Sequence, residues 1–100
     1  MEKRVRTYDL EAIKLAFSTT IKLRVTGTAL RDARAMGFSQ QDMVDAIQQL
    51  KRTDFVKSMT THADHRVWQD VYNMEFNGYL LYIKFQMDEM GHFIISFKEK

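Results

Sequence analysis

The chain has 100 residues and no cysteine, which excludes disulfides and thiolate metal sites. Hydrophobic residues make up 45% against 28% charged, a globular rather than disordered balance, and no apolar stretch approaches the roughly 20 residues that cross a bilayer. A net charge of +2 and an isoelectric point near 9.0 permit a nucleic-acid partner without specifying one, because a phosphate-binding face needs clustered Lys and Arg more than a large total.

The length suits one domain over residues 1–100. The opening Met1-Glu2-Lys3-Arg4-Val5-Arg6 leads into a polar segment and not into an apolar run, so no secretory leader is expected and a reducing cytoplasm fits. Asp9 is placed to cap a helix over about 10–18, with Leu10, Ile13 and Phe17 on one face. Ile21 to Val25 alternates apolar with basic and predicts a short strand ending at Gly27. Thr28 then caps a helix over about 29–36 that stops at Gly37. Ser39 with Asp42 opens another through about Leu50, burying Met43, Ile47 and Leu50.

After Asp54 the composition changes. β-Branched and aromatic residues gather in four runs, about 54–60, 66–72, 79–87 and 92–98, separated by polar turns that include Asn77-Gly78 and Met90-Gly91. Helices followed by a meander predict an α+β fold, a mainly antiparallel β-sheet with about three α-helices packed on one face. In the last two runs Leu81, Ile83, Phe85 and Met87 alternate with Tyr82, Lys84 and Gln86. Phe93, Ile95 and Phe97 alternate with His92, Ser96 and Lys98, interrupted by Ile94. The helices should cover the apolar set and leave Tyr82 and Lys98 together on the open side.

Cleaving RNA through its own 2′-hydroxyl needs a group to take that proton, cations or donors for the charge on the pentacoordinate phosphorus, and a donor for the departing 5′-oxygen. Lys, Tyr and Gln can share those tasks, although a Tyr and a Lys on an exposed strand are ordinary surface residues in most proteins. His62, His65 and His92 offer a competing acid–base pair, against the plainer reading of polar turn residues. His62-Ala63-Asp64-His65 lacks the further ligand a zinc site needs, so no metal or other cofactor is expected. Trp68 reads as a core or edge anchor for the sheet, with base stacking as the functional counterpart. The seven methionines read as adaptable packing.

Two other classes compete. The helix, Gly37, helix arrangement of residues 28–50 resembles a DNA-reading helix-turn-helix in outline, but its second helix carries Asp42 and Asp45 with no Lys or Arg, and only Gln40, Gln41, Gln48 and Gln49 to read bases. A non-catalytic protein-interaction module fits the strand edges that a small sheet leaves open.

The run Asp54-Phe55-Val56-Lys57-Ser58-Met59-Thr60-Thr61-His62-Ala63-Asp64-His65-Arg66-Val67-Trp68-Gln69-Asp70-Val71-Tyr72, the tail Ser96-Phe97-Lys98-Glu99-Lys100 and the opening Met1-Glu2-Lys3-Arg4 resemble the MqsR family, motility quorum-sensing regulator toxins with a RelE-like fold. The resemblance implies a ribosome-independent endoribonuclease that cuts messenger RNA, with a GCU preference, and is neutralised by a cognate MqsA-like antitoxin. It implies no membrane partner and no specific DNA contact by the toxin itself. It also implies active-site roles for Lys57, Gln69, Tyr82 and Lys98, the positions that match the family's Lys, Gln, Tyr and Lys. His62 stands where a Tyr is familiar, Asn73-Met74-Glu75-Phe76 replaces a segment richer in Pro and Arg, and the final turn is one residue longer. The last two departures bear on which RNA sequence fits, more than on the reaction.

Overall fold

A computed structural model describes residues 1–100. Three α-helices, α1 (Leu10–Ala16), α2 (Gly27–Ala35) and α3 (Gln40–Gln48), accompany five strands: β1 (Glu2–Lys3), β2 (Phe55–Thr60), β3 (Trp68–Phe76), β4 (Tyr79–Met87) and β5 (Phe93–Glu99). The strands form one antiparallel sheet in the order β1-β2-β3-β4-β5, so the fold is α+β as expected. No helix is long and apolar enough to cross a membrane.

The helix caps are local chemistry. Asp9 accepts from the Ala12 amide at 3.2 Å, and α1 ends at Phe17. Ser39 and Asp42 form a reciprocal capping box at 3.1 and 2.8 Å. Gly37, at φ 83°, closes α2, with its own amide on the Arg34 carbonyl and that of Phe38 on Ala33. The expected Thr28 cap lies two residues too late. Thr26 is the cap, accepting from the Ala29 amide at 3.1 Å, because its own amide is held by the Ile95 carbonyl on β5 and the helix starts from that anchor.

The strand expected over 21–25 is also corrected. Thr20–Lys22 forms a single 3-10 turn with Ile21 95% exposed, and only Val25 bridges the sheet, in parallel, at Ile95. Leu23 and Val25 satisfy their hydrophobic pattern by packing on the core from a loop, which alternation alone cannot distinguish from a strand. Two elements extend beyond expectation. β3 continues through Asn73-Met74-Glu75-Phe76 because Met74 and Phe76 are buried and the turn Asn77-Gly78, with φ of 51° and 83°, joins β4 in two residues. The polar opening residues pair with β2, Glu2 opposite Met59 and Lys3 opposite Ser58.

The core lies between the helices and one sheet face. Tyr72, Met74, Leu81, Ile83, Phe85, Ile95 and Phe97 meet Leu10, Ile13, Phe17, Ala33, Met43 and Ile47, with Phe17 stacked on Phe85 at 6.0 Å. Burial of this set is the dominant stabilising term. One buried group on the same face is charged: Asp70, fully buried, accepts the Thr7 amide on both oxygens at 3.0 and 2.9 Å and the Tyr8 amide at 2.8 Å. Beside it Thr7 and Ser58 hydroxyls share a 2.8 Å bond, and the Tyr8 hydroxyl donates to the Trp68 carbonyl at 2.7 Å. These bonds pin the N-terminal segment to β2 and β3. Asp70→Ala, which removes the acceptor of two partly buried amides, is expected to lower stability by about 2–3 kcal/mol in urea unfolding. A loss below 0.5 kcal/mol would show that the pin is not holding the segment.

Candidate active site

The uncovered face is organised in rows across the strands. Opposite residues give Met59, Gln69 and then Gln86 with Ile94 in the first row, Lys57, Val71, Lys84 and Ser96 in the second, and Asn73, Tyr82 and Lys98 in the third. All four residues singled out by the resemblance therefore stand on this one face. Lys57 reaches it only through a β-bulge. Phe55 pairs with Tyr72 on the core side, yet Lys57, two residues on, pairs with Val71 on the open side, because Val56 is an extra residue in β2. Arg4 donates to the carbonyl of Val56 at 3.4 Å.

The four are not in mutual contact. Tyr82 and Lys98 are opposite neighbours on β4 and β5, with the Lys98 ammonium 5.2 Å from the centre of the phenol ring. Gln69 lies two rows away, donating its amide to Gln86 at 2.6 Å. Lys57 stands two strands from Tyr82 and forms a 2.7 Å ion pair with Glu2. The hydrogen bond from Lys57, and then its charge, hold the Glu2 carboxyl below the usual carboxylate range. No cavity encloses the set. Of the four, only Lys98 lines one, a recess of about 400 Å³ at the β5 edge with Asp32, Met36 and Tyr79. The candidate site is a shallow face, the shape over which an extended strand can lie.

Lys84 occupies the middle of it, in the row between Gln69 and Tyr82, with its ammonium 5.9 Å from the Tyr82 ring. Burial first, and the charge of Lys98 second, push the Lys84 pKa down from the ordinary lysine value. Val71, in the same row between Lys57 and Lys84, is fully buried although its strand phase places it on the open face. Lys84 and Gln86 share the strand phase of Tyr82, and that alternation was the signal available for them in the sequence. In the third row the side-chain oxygen of Asn73 is shut off from solvent without a hydrogen-bond partner.

The competing candidates sit elsewhere. His62 and His65 are exposed in the turn between β2 and β3 and bond to no residue of the open face, and His92 lies 3.9 Å from Asp88 in the β4–β5 turn. Trp68 is outside the hydrophobic core, half-buried at the sheet end with the Lys3 ammonium 4.1 Å above its ring, so it anchors an edge. In the helix-turn-helix reading the second helix must offer its amides to bases. Instead Gln48 caps α1 by donating to the carbonyls of Lys14 and Phe17, at 2.6 and 3.1 Å, and Gln41 donates to Asp45 at 2.9 Å.

Residues 6–99 match the family described as motility quorum-sensing regulator, toxin of MqsA. Along the full length of both chains, this sequence is 37% identical to the mRNA interferase toxin MqsR of Escherichia coli (strain K12). The chain belongs to the MqsR toxin family.

The Lys84 geometry has a signed consequence for titration. With its folded pKa below the unfolded value, the folded protein binds fewer protons between the two; the cost of charging Lys84 is full below the folded pKa and is relieved as pH rises toward the ordinary lysine range. A carbon-detected NMR titration of the Lys84 side chain should place its midpoint below that of free lysine, about 10.4. Lys98→Gln should raise the midpoint without restoring the free value, since burial is the larger cause. An unchanged midpoint would rule out coupling between the two lysines.

Proposed function

We propose that this member of the MqsR toxin family is a metal-independent endoribonuclease that cuts free messenger RNA on the open face of its sheet, in the cytoplasm, and is neutralised by a cognate antitoxin. The observation that carries the reading is the third row and its neighbour: a phenol, Tyr82, flanked by the ammonium groups of Lys98 and Lys84 on the one face the helices leave free.

In the proposed reaction the 2′-oxygen of the substrate attacks the adjacent phosphorus, the new O2′–P bond forms and the P–O5′ bond breaks. The deprotonated form of Tyr82 takes the 2′-hydroxyl proton and becomes the neutral phenol, with the ammonium groups of Lys98 and Lys84 near its ring. Lys98 and Lys57 stabilise the pentacoordinate phosphorus, Lys57 exchanging Glu2 for a phosphate oxygen. Lys84, the stronger acid for its lowered pKa, donates the proton to the departing 5′-oxygen. Gln69, held by Gln86, orients the strand by hydrogen bonding to a base or sugar. All the positive charge this scheme needs comes from side chains, which is the argument for metal independence. Specificity for GCU-like sites rests on the family resemblance.

Purified protein incubated with messenger RNA and a chelator should give fragments ending in a 2′,3′-cyclic phosphate and a 5′-hydroxyl. A 2′-deoxy substitution at the scissile nucleotide should block cutting. Cleavage seen only after magnesium or zinc is restored would overturn the mechanism.

Tyr82→Phe, Lys57→Ala and Lys84→Gln are each expected to slow cleavage by about 100- to 1000-fold, about 2.7–4 kcal/mol of transition-state stabilisation. His62→Ala and His65→Ala should retain near-full rates in the same single-turnover assay. The reverse pattern in folded proteins would move the chemistry to the histidines.

A further inference from the structure

On the far side of the bulge from Lys57 lies a second cationic feature. Arg4, Arg6 and Arg52 surround a cleft of about 500 Å³ whose remaining walls are Val5, Phe55 and Tyr72. The guanidinium groups are poorly neutralised. Arg52 makes no ion pair, Arg4 bonds only to the Val56 carbonyl, and Arg6 has Asp9 no closer than 3.9 Å. The neighbouring carboxylates are committed to backbone amides: Asp9 to Ala12, Asp54 to Lys51 at 2.8 Å, and Asp70 to Thr7 and Tyr8. Three exposed arginines that share only one long ion pair, Arg6 with Asp9, repel one another, so an anion shared between them is favourable.

The floor of the cleft carries a further donor. Tyr72 is 1% exposed, forms no hydrogen bond through its hydroxyl, and is pushed up to about 12, by burial first and then by Asp70, against the opposing pull of Arg6. It therefore remains a neutral phenol with a proton to donate. Three planar guanidinium forks and one phenol suit the tetrahedral oxygens of a phosphate. The cleft adjoins the active face across the β2 bulge, where Arg4 bonds to the carbonyl of the residue immediately before Lys57.

We infer that the cleft of Arg4, Arg6 and Arg52 over Phe55 and Tyr72 is a phosphate subsite, which grips the backbone of the substrate strand on one side of the cleavage position as it passes over the β2 edge. This rests on the RNA-cleaving reading of the open face. Proximity to Lys57 across the bulge favours the substrate over an acidic segment of a protein partner. Arg52 and Arg6 are the residues to change, since Arg4 also braces the bulge.

The test uses RNA made uncleavable by a 2′-deoxy scissile nucleotide, extended stepwise on either side, with binding read by fluorescence anisotropy over a range of salt. Wild-type affinity should rise on extension toward one end only. The double variant Arg6→Gln/Arg52→Gln should lose about tenfold of that gain, and its slope of log affinity against log salt should flatten by about 1.4, two contacts at about 0.7 each for single strands. Arg6→Lys/Arg52→Lys should keep the salt slope while losing part of the affinity. Thermal melting verifies that both variants are folded. Unchanged affinity and slope in the glutamine variant would overturn the subsite, and weakened antitoxin binding in that case would assign the arginines to a protein partner. Wild-type binding without cleavage of the all-ribose parent rejects the nuclease reading alone, cleavage with an unaffected salt slope rejects the subsite alone, and no RNA binding rejects both.

Discussion

One additional residue in β2 decides the chemistry of the sheet. Without Val56 as a bulge, Phe55 and Lys57 would share a face, and either the aromatic contact of Phe55 with Tyr72 or the exposure of Lys57 would be lost. A bulge leaves one residue of the ladder unpaired, and here the guanidinium of Arg4 supplies a hydrogen bond to its carbonyl. Arg4 in turn is positioned by the segment that Asp70 holds through the amides of Thr7 and Tyr8. A buried carboxylate without a cationic partner is costly, and this one is compensated by three amide contacts, so the N-terminal residues are integral to the site although they contribute only a two-residue strand.

The open face concentrates positive charge where burial makes it least comfortable. Lys84 lies opposite a fully buried valine and beside Lys98, and both burial and repulsion work against its charged form. Such crowding lowers stability at neutral pH, and an anion bound on this face would relieve the repulsion. Glu2 occupies Lys57 in the free protein, an exposed pair worth little to stability that a phosphate can displace. The lysine face and the arginine cleft lie on either side of the same bulge.

Much of the architecture was legible in the sequence because it rests on local rules. The Ser39–Asp42 capping box, the left-handed Gly37, the Asn77-Gly78 hairpin and the alternation of β4 and β5 depend on residues within a few positions of one another, and each stands where its pattern placed it. The phase of β4 alone put Tyr82, Lys84 and Gln86 on one face, and the pairing of β4 with β5 brought Lys98 to Tyr82. Family resemblance supplied Lys57 and Gln69, which no periodicity in β2 or β3 marks out.

What remained hidden depends on contacts distant in sequence. Alternation over 21–25 describes a strand and a core-packed loop equally well, and only the Thr26–Ile95 anchor separates them and moves the helix cap from Thr28. The pairing of Glu2 and Lys3 with β2 relies on Asp70, more than sixty residues away. A bulge leaves no composition signal, so the face of Lys57 was fixed only when Phe55 chose the core. The convergence of Arg4, Arg6 and Arg52 likewise joins two segments that are unrelated in sequence. Spacing and periodicity therefore determined the α+β class, the Asp9 and Ser39 caps, the Gly37 stop and the phase of the last strands. Tertiary packing alone decided the neighbours of each charge, because electrostatic environment is a property of distances that the linear order does not contain.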